Sequence, residues 1–268
     1  MNAGNTWTSA SGGDLSAGYA RHSGTLRGAL RQALVARALR VHLPAAPQRV
    51  LDIGGGDAHQ AVQLARAGHQ VTVLDTDPQM LQRARERLAG EPEPVRQRIH
   101  LVQGAGEDAV DLVGGGHDVV CCHGVLMYVQ DPRPLVQAAV KAARPGGGLV
   151  SLLTKNATAL AMRPALERRW ADALAVMDAA TEIGNLGVAT RADSLEALQA
   201  LLAGAGAGAA TVAWYGVRVF TDHLGDEPVG EGFDQVLEAE WEAGRRDPYR
   251  RVGRQIHVIA RTGTAGTR

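Results

Sequence analysis

A backbone turn sets the terms for this chain. Arg49-Val50-Leu51-Asp52-Ile53 runs straight into Gly54-Gly55-Gly56-Asp57-Ala58. Val50 to Ile53 reads as a buried strand, and Gln60 to Ala65 reads as the helix beyond the turn. A second apolar run begins at Val71 and ends in Asp75, nineteen positions past Gly56. Strand, glycine turn, helix and acid-tipped strand together make the layout of a nucleoside pocket. The glycines leave room for a ligand pressed against the main chain and permit positive φ. The helix start offers unpaired N–H groups and a partial positive charge to an anion. Asp75 can accept two hydrogen bonds from a vicinal ribose diol.

What is missing narrows the nucleoside. A dinucleotide fingerprint places glycines at 54, 56 and 59, but position 59 is His59, bulky where helix and strand should pack most tightly. Asp52 instead gives Asp-x-Gly-x-Gly followed by Ala58. This resembles the first motif of class I S-adenosylmethionine-dependent methyltransferases. In that family the glycine turn holds the methionine part of the cofactor, and the acid on the second strand holds its ribose. The alternative is a glycine turn in an unrelated doubly wound domain. Against it stands Arg144-Pro145-Gly146-Gly147-Gly148 between a helix and the run Leu149 to Leu153, which is typical of the same family. The resemblance implies a Rossmann-like, doubly wound, mainly parallel seven-stranded sheet with an antiparallel strand near the C-terminus.

The chain has 268 residues, enough for one large α/β domain with an added cap. Twenty-eight basic residues balance twenty-eight acidic ones, so no global field draws it to nucleic acid or membrane. Lysine occurs only at Lys141 and Lys155. Cys121 and Cys122 are adjacent in an apolar run and read as buried thiols of a reducing compartment rather than a disulfide or a metal site. With no second cysteine pair no metal is expected, and with no evident signal peptide or membrane-spanning run the chain reads as cytoplasmic.

Residues 1–18 read as disordered, 19–261 as the methyltransferase domain, and 262–268 as a tail. A helix over 24–43 carries leucines 26, 30, 34 and 39 on one stripe. It either packs on the sheet or lids the cofactor with one arginine turned inward. Asp77-Pro78 opens a helix over 78–89 as N-cap and first-turn proline. Strands are expected at Ile99 to Gln103 and Asp118 to His123, and helices at Gln60 to Ala67 and Pro132 to Ala143. Residues 155–210 read as a substrate-cap insertion with helical stretches at about 158–180 and 193–203, followed by a flexible link over 204–208. Val212 to Phe220 and Gln255 to Ala260 alternate as antiparallel strands do.

The stretches 216–224 and 247–257, with Gly28 to Ala33, Gly68 to Val71 and His123 to Leu126, look like the bacterial tRNA 5-carboxymethoxyuridine methyltransferases. Those enzymes esterify the carboxylate of a modified wobble uridine. Carried over by position, this resemblance implies cofactor contacts from Arg31, Gly54, Gly55, Asp75, Gly106, Glu107 and His123. Asp52 and Gly56 join them through the first motif. The chain departs from that group at Ala58, at Met127 and across 178–190, which holds no lysine. Arginines 163, 168, 169, 218, 245, 246, 250, 251 and 254 could supply phosphate contacts. A carboxylate acceptor needs a positioning cation rather than a base, for which Arg218, Arg250 and Arg31 are candidates; the alternative for each is a solvated surface charge, and for Arg218 and Arg250 that alternative is the favoured reading. A phenol or amine acceptor would want a base, and His123 is the candidate, unless it only lines the pocket. Tyr128, Tyr215 and Tyr249 could wall the acceptor site or pack in the core. The acceptor is thus tRNA or a small molecule. An NAD-dependent oxidoreductase and a non-catalytic cofactor-binding module complete the alternatives. A pocket with apolar walls is expected at the tips of strands one and four.

Overall fold

The structure is a computed structural model that describes residues 18, 23–184, 187–206 and 208–264. Residues 1–17 of the expected disordered segment and 265–268 of the expected tail lie outside them. In chain order the elements are α1 (Leu26–His42), β1 (Arg49–Ile53), α2 (His59–Arg66), β2 (Gln70–Asp75), α3 (Pro78–Ala89), α4 (Glu93–Arg96) and β3 (Ile99–Gln103). Then come α5 (Ala109–Val113), β4 (Val119–His123), α6 (Arg133–Ala142), β5 (Leu149–Lys155), α7 (Met162–Leu166), α8 (Trp170–Val176), β6 (Thr181–Ile183) and β7 (Ala189–Arg191). The chain closes with α9 (Leu195–Ala203), β8 (Ala209–Val217), α10 (Phe233–Gly244) and β9 (Gln255–Thr262).

Seven strands form one sheet in the order β3-β2-β1-β4-β5-β9-β8. The first five are parallel, and β9 runs antiparallel to both β5 and β8. The strand order reverses between β1 and β4, so a crevice opens at their carboxyl tips. Side-chain alternation splits the core in two. Val120, Cys122, Leu152 and Val258 pack under α6 and α9. Val50, Val73, Cys121, Leu153 and Ile259 pack under α1, α2 and α10. The neighbouring cysteines therefore point to opposite faces, and both are free. Among the described residues no helix is long and apolar enough to cross a membrane.

The main departures from expectation lie in the cap. The stretch expected as one helix over 158–180 breaks into α7 and α8 at Arg168, whose φ is +61°. Between the expected cap helices stands a β6–β7 hairpin. The Gly204 to Gly208 link is a tight turn at its described positions: Ala205 is fully buried, and its carbonyl accepts from the Gly208 N–H at 2.8 Å. Glu93–Arg96 forms a helical turn where a loop was expected. Strand β5 runs to Lys155 rather than Leu153, which brings that lysine to the sheet's ligand edge.

Candidate functional site

One large pocket lies across the tips of β1, β2, β4, β5 and β9. Its first half is built by the glycine turn. Gly54 has φ +67°, and a Cβ there would meet Val125 Cγ2 at 2.2 Å. Gly106, past β3, is as tightly framed, with Ile53 and Leu135 methyls 2.5 Å from a notional Cβ. Asp75 stands at the tip of β2. One carboxylate oxygen accepts from the Gly56 N–H at 2.8 Å and the other from the Asp77 N–H at 2.9 Å. Each oxygen keeps a lone pair for a further donor. Burial raises the Asp75 pKa, and the backbone amides of Asp77, Gly56 and Thr76 work against that rise. Asp77 caps α3 through Gln79 and Met80, as expected. Glu107, Leu74, Ile53, Met80 and Leu135 complete this half, whose walls are largely apolar.

A smaller cavity lies on the other side of the turn, between α1 and α2, with Arg31, Asp52, Gly55, His59 and Gln60 around it. Asp52 is buried, which together with the Asp75 charge raises it to about 7, while Arg31 pulls it back down. Arg31 also donates to the His123 carbonyl at 3.2 Å. Helix α1 packs on the sheet through Leu30, Leu34 and Leu39, and its Arg31 lines both this cavity and the large pocket. His59 projects beside this cavity and meets Gln63, one turn along the same helix, at 2.9 Å.

His123, at the tip of β4, sits in a hydrogen-bonded chain that crosses the sheet. Gln60 Nε2 donates to Asp52 at 3.3 Å, which leaves Gln60 Oε1 to accept from His123 Nδ1 at 2.7 Å. His123 Nε2 then accepts from the Ser151 hydroxyl at 2.8 Å, and Ser151 accepts from His257 Nε2 at 2.7 Å. This is the one proton arrangement that neutral imidazoles allow here. Burial, aided by His257 and Arg31, holds His123 well below the usual histidine range. His257 is pushed down to about 3, mainly by burial. Both ring nitrogens of His123 are therefore hydrogen-bonded within the protein.

The second half of the pocket is cationic. Lys155 ends β5, Arg254 precedes β9, Arg218 follows β8 and Arg163 comes from α7. Two protein carboxylates bridge them. Glu182 on the hairpin takes Lys155 at 2.6 Å and also Arg254. Asp222 lies 3.4 Å from Arg218, 3.5 Å from Arg254 and 3.7 Å from Arg163. Four cations thus face two anions. Among the described residues, buried atoms of this cluster lack hydrogen-bond partners: Arg218 Nε and Nη1, Arg254 Nη1 and both Asp222 oxygens. Unfilled polar capacity of this kind beside a pocket can take up a water, an ion or a ligand.

Arg218 is held there against local preference. Its φ is +59°, a region that costs a non-glycine residue about 1–3 kcal/mol. The following segment is clamped by Glu240, which is fully buried on α10. Its carboxylate accepts from the N–H groups of Val219, Phe220 and Thr221 and from the Thr221 hydroxyl at 2.6–2.9 Å. Replacing Glu240 with alanine strands four donors. The expected cost is about 3 kcal/mol or more, read as a fall of several degrees in the thermal melt. A weakened acceptor KM with unchanged cofactor affinity should accompany it, because only the Arg218 half of the pocket leans on this clamp.

The arginines divide sharply. Arg163, Arg218 and Arg254 turn into the pocket, which corrects the surface-charge alternative for Arg218, only 6% exposed. Arg169 pairs with Glu167 and Asp172, and Arg245 and Arg246 with Glu242. Arg250 pairs with Asp247 and lies 4.1 Å over the Trp214 ring, away from the site. Tyr128 lines the pocket. Tyr215 bonds His42 and stacks on Trp241, and Tyr249 is exposed. Sequence reasoning missed Glu182, Asp222, Ser151 and His257. It also passed over Lys155, although a lone lysine near the end of a parallel strand was a usable signal.

Residues 51–151 match the methyltransferase domain family. The chain is 34% identical over 242 residues to the tRNA 5-carboxymethoxyuridine methyltransferase of Escherichia coli (strain K12), covering 89% of this chain and 90% of that one. It is also similar, at 35% identity over 126 residues, to a ubiquinone biosynthesis O-methyltransferase of Xanthomonas campestris, covering 47% of this chain and 50% of that one. An S-adenosylmethionine-dependent methyltransferase structure from Mesorhizobium loti superposes with a TM-score of 0.57 at 21% identity, covering 90% of this chain and 99% of that one.

Proposed function

The chain belongs to the class I methyltransferases, and on that premise we propose that it carries a methyl group from S-adenosyl-L-methionine to the carboxylate of 5-carboxymethoxyuridine in tRNA. When bound, the cofactor supplies a methyl group already activated on a sulfonium. The framed glycine turn, Asp75 with a lone pair on each oxygen, and Gly106 with Glu107 fit an adenosyl group. Asp75 would hold the ribose diol and Gly106 with Glu107 the adenine edge. Arg31 and Asp52, across the turn, would face the charged methionine end. A tRNA acceptor places the reaction in the cytoplasm.

The observation that carries the acceptor is the excess of buried cations over carboxylates at the far end of the pocket. A carboxylate is already a nucleophile at neutral pH, and it needs alignment and release from water more than it needs a base. Arg218 would supply that alignment beside Lys155 and Arg254. His123, with both ring nitrogens engaged, would shape the pocket and keep its own proton.

Tritiated methyl transfer tests this reading directly. Label should enter both tRNA bearing 5-carboxymethoxyuridine and the free nucleoside. Mild alkali should then release it as volatile methanol, as an ester requires. Label that survives alkali would mean an ether or N-methyl product and would overturn the proposal.

The pH profile is a second check. Because burial holds the His123 pKa well below the usual histidine range, the ring is neutral around neutral pH, so His123 should add no rising limb to kcat there. Lys155 is drawn down to about 8 by burial, against the pull of Glu182. Above that pH it loses its charge, so the acceptor KM should climb while kcat holds. A kcat at saturating cofactor that rises with a pKa between 6 and 8, and keeps that limb in Asp52→Asn, would restore a general base.

A further inference from the structure

We propose that Gln255 selects the ring of the acceptor by reading a cyclic imide edge, an N–H beside a carbonyl, as uracil presents; this rests on the carboxylate reading above. Gln255 opens β9 and pairs in register with Lys155 on one side and Val217 on the other. Its side chain therefore stands at the meeting of three strand tips, between Lys155 and the Arg218 that follows Val217. It lines the pocket and is only 5% exposed.

Its Oε1 has no hydrogen-bond partner among the described residues and is shut off from water. The cations nearest in the chain are turned elsewhere: Lys155 donates to Glu182 and Thr190, and Arg254 to Glu182. An amide flip, which exchanges the oxygen and nitrogen, turns this oxygen toward the pocket that the residue lines, where it can take a donor. A carboxylate brings none at neutral pH, so the donor must come from another part of the acceptor. An amide presents one acceptor beside one donor. In a uracil ring the C5 substituent flanks the C4 carbonyl, and N3–H comes next. With its carboxylate among Arg218, Lys155 and Arg254, a uracil that turns its C4 edge toward β9 would set O4 and N3–H against Gln255. Cytosine, whose N3 carries no hydrogen, would meet the Gln255 oxygen with a second acceptor.

The test compares two free nucleosides, 5-carboxymethoxyuridine and its N3-methyl derivative, with wild type and Gln255→Ala. Wild type should lose tenfold or more in kcat/KM on N3-methylation. Gln255→Ala, which leaves room for the added methyl, should treat the two nucleosides within about threefold of each other, because the hydrogen bond that N3-methylation removes is already absent. Calorimetry should show unchanged cofactor affinity in the variant. Equal use of both nucleosides by wild type, or tenfold discrimination persisting in Gln255→Ala, would overturn the proposal. If the variant no longer binds cofactor, the wild-type pair alone decides. If wild type methylates neither nucleoside nor tRNA, the carboxylate reading has failed, and this one goes with it. Failure of this proposal alone shows as methylation without discrimination.

Discussion

Asp75→Ala should bind S-adenosylmethionine on the order of a hundredfold more weakly, or not measurably, while remaining folded. The carboxylate has two jobs that alanine cannot do. It would accept both hydroxyls of a ribose, and hydrogen bonds to a charged acceptor are worth about 1.5–3 kcal/mol each. It also fixes the turn, since its two oxygens take the N–H groups of Gly56 and Asp77. Losing it frees the glycine turn and removes the ribose anchor together. Calorimetric titration with the cofactor and with S-adenosylhomocysteine measures the loss. A far-ultraviolet spectrum matching wild type guards against simple unfolding, because Asp75 lies at a strand tip outside both hydrophobic cores. Affinity within threefold of wild type would remove Asp75 from the cofactor site.

How legible this was in the sequence depended on the range of the forces involved. The glycine turn, Asp75 and the Asp77 cap were readable because each is a local device: a fixed spacing, a required φ, a side chain reaching two residues along its own chain. The alternation that placed β9 antiparallel to its neighbours was readable for the same reason. The cationic half of the pocket was not. Lys155, Arg218 and Arg254 are brought together by strand order, and Glu182 reaches them from a hairpin whose pairing is decided by its neighbours rather than by propensity. Arg218 in particular looked like a surface charge, because nothing nearby in sequence says that Glu240 will clamp the next three residues. His123 was misleading in the opposite sense. Its place at the tip of β4 suggests a base, but Gln60 and Ser151, from a helix and a neighbouring strand, take both of its nitrogens.

The cation cluster makes a sharper claim than the cofactor site, and Arg218→Met tests it. Methionine keeps most of the length and the apolar stem while deleting the charge. The neighbouring Asp222 keeps Arg163 and Arg254 within ion-pair range, so the change does not strand a buried carboxylate. What goes is the cation whose Nε and Nη1 have no protein partner. Removing one side of a desolvated charge pair costs about 2–5 kcal/mol, so kcat/KM for a carboxylate acceptor should fall on the order of a hundredfold or more. Cofactor affinity should stay within about threefold, because Arg218 stands at the other end of the pocket from Asp75. Arg218→Lys should recover little, since an ammonium lacks the planar fork that carboxylates favour and would sit as a point charge on a strained backbone. Radiolabel transfer to the free nucleoside at saturating cofactor gives the first number and calorimetry the second. If Arg218→Met keeps a third of wild-type turnover, the acceptor carboxylate does not lie against this arginine, and Lys155 with Arg254 must hold it alone.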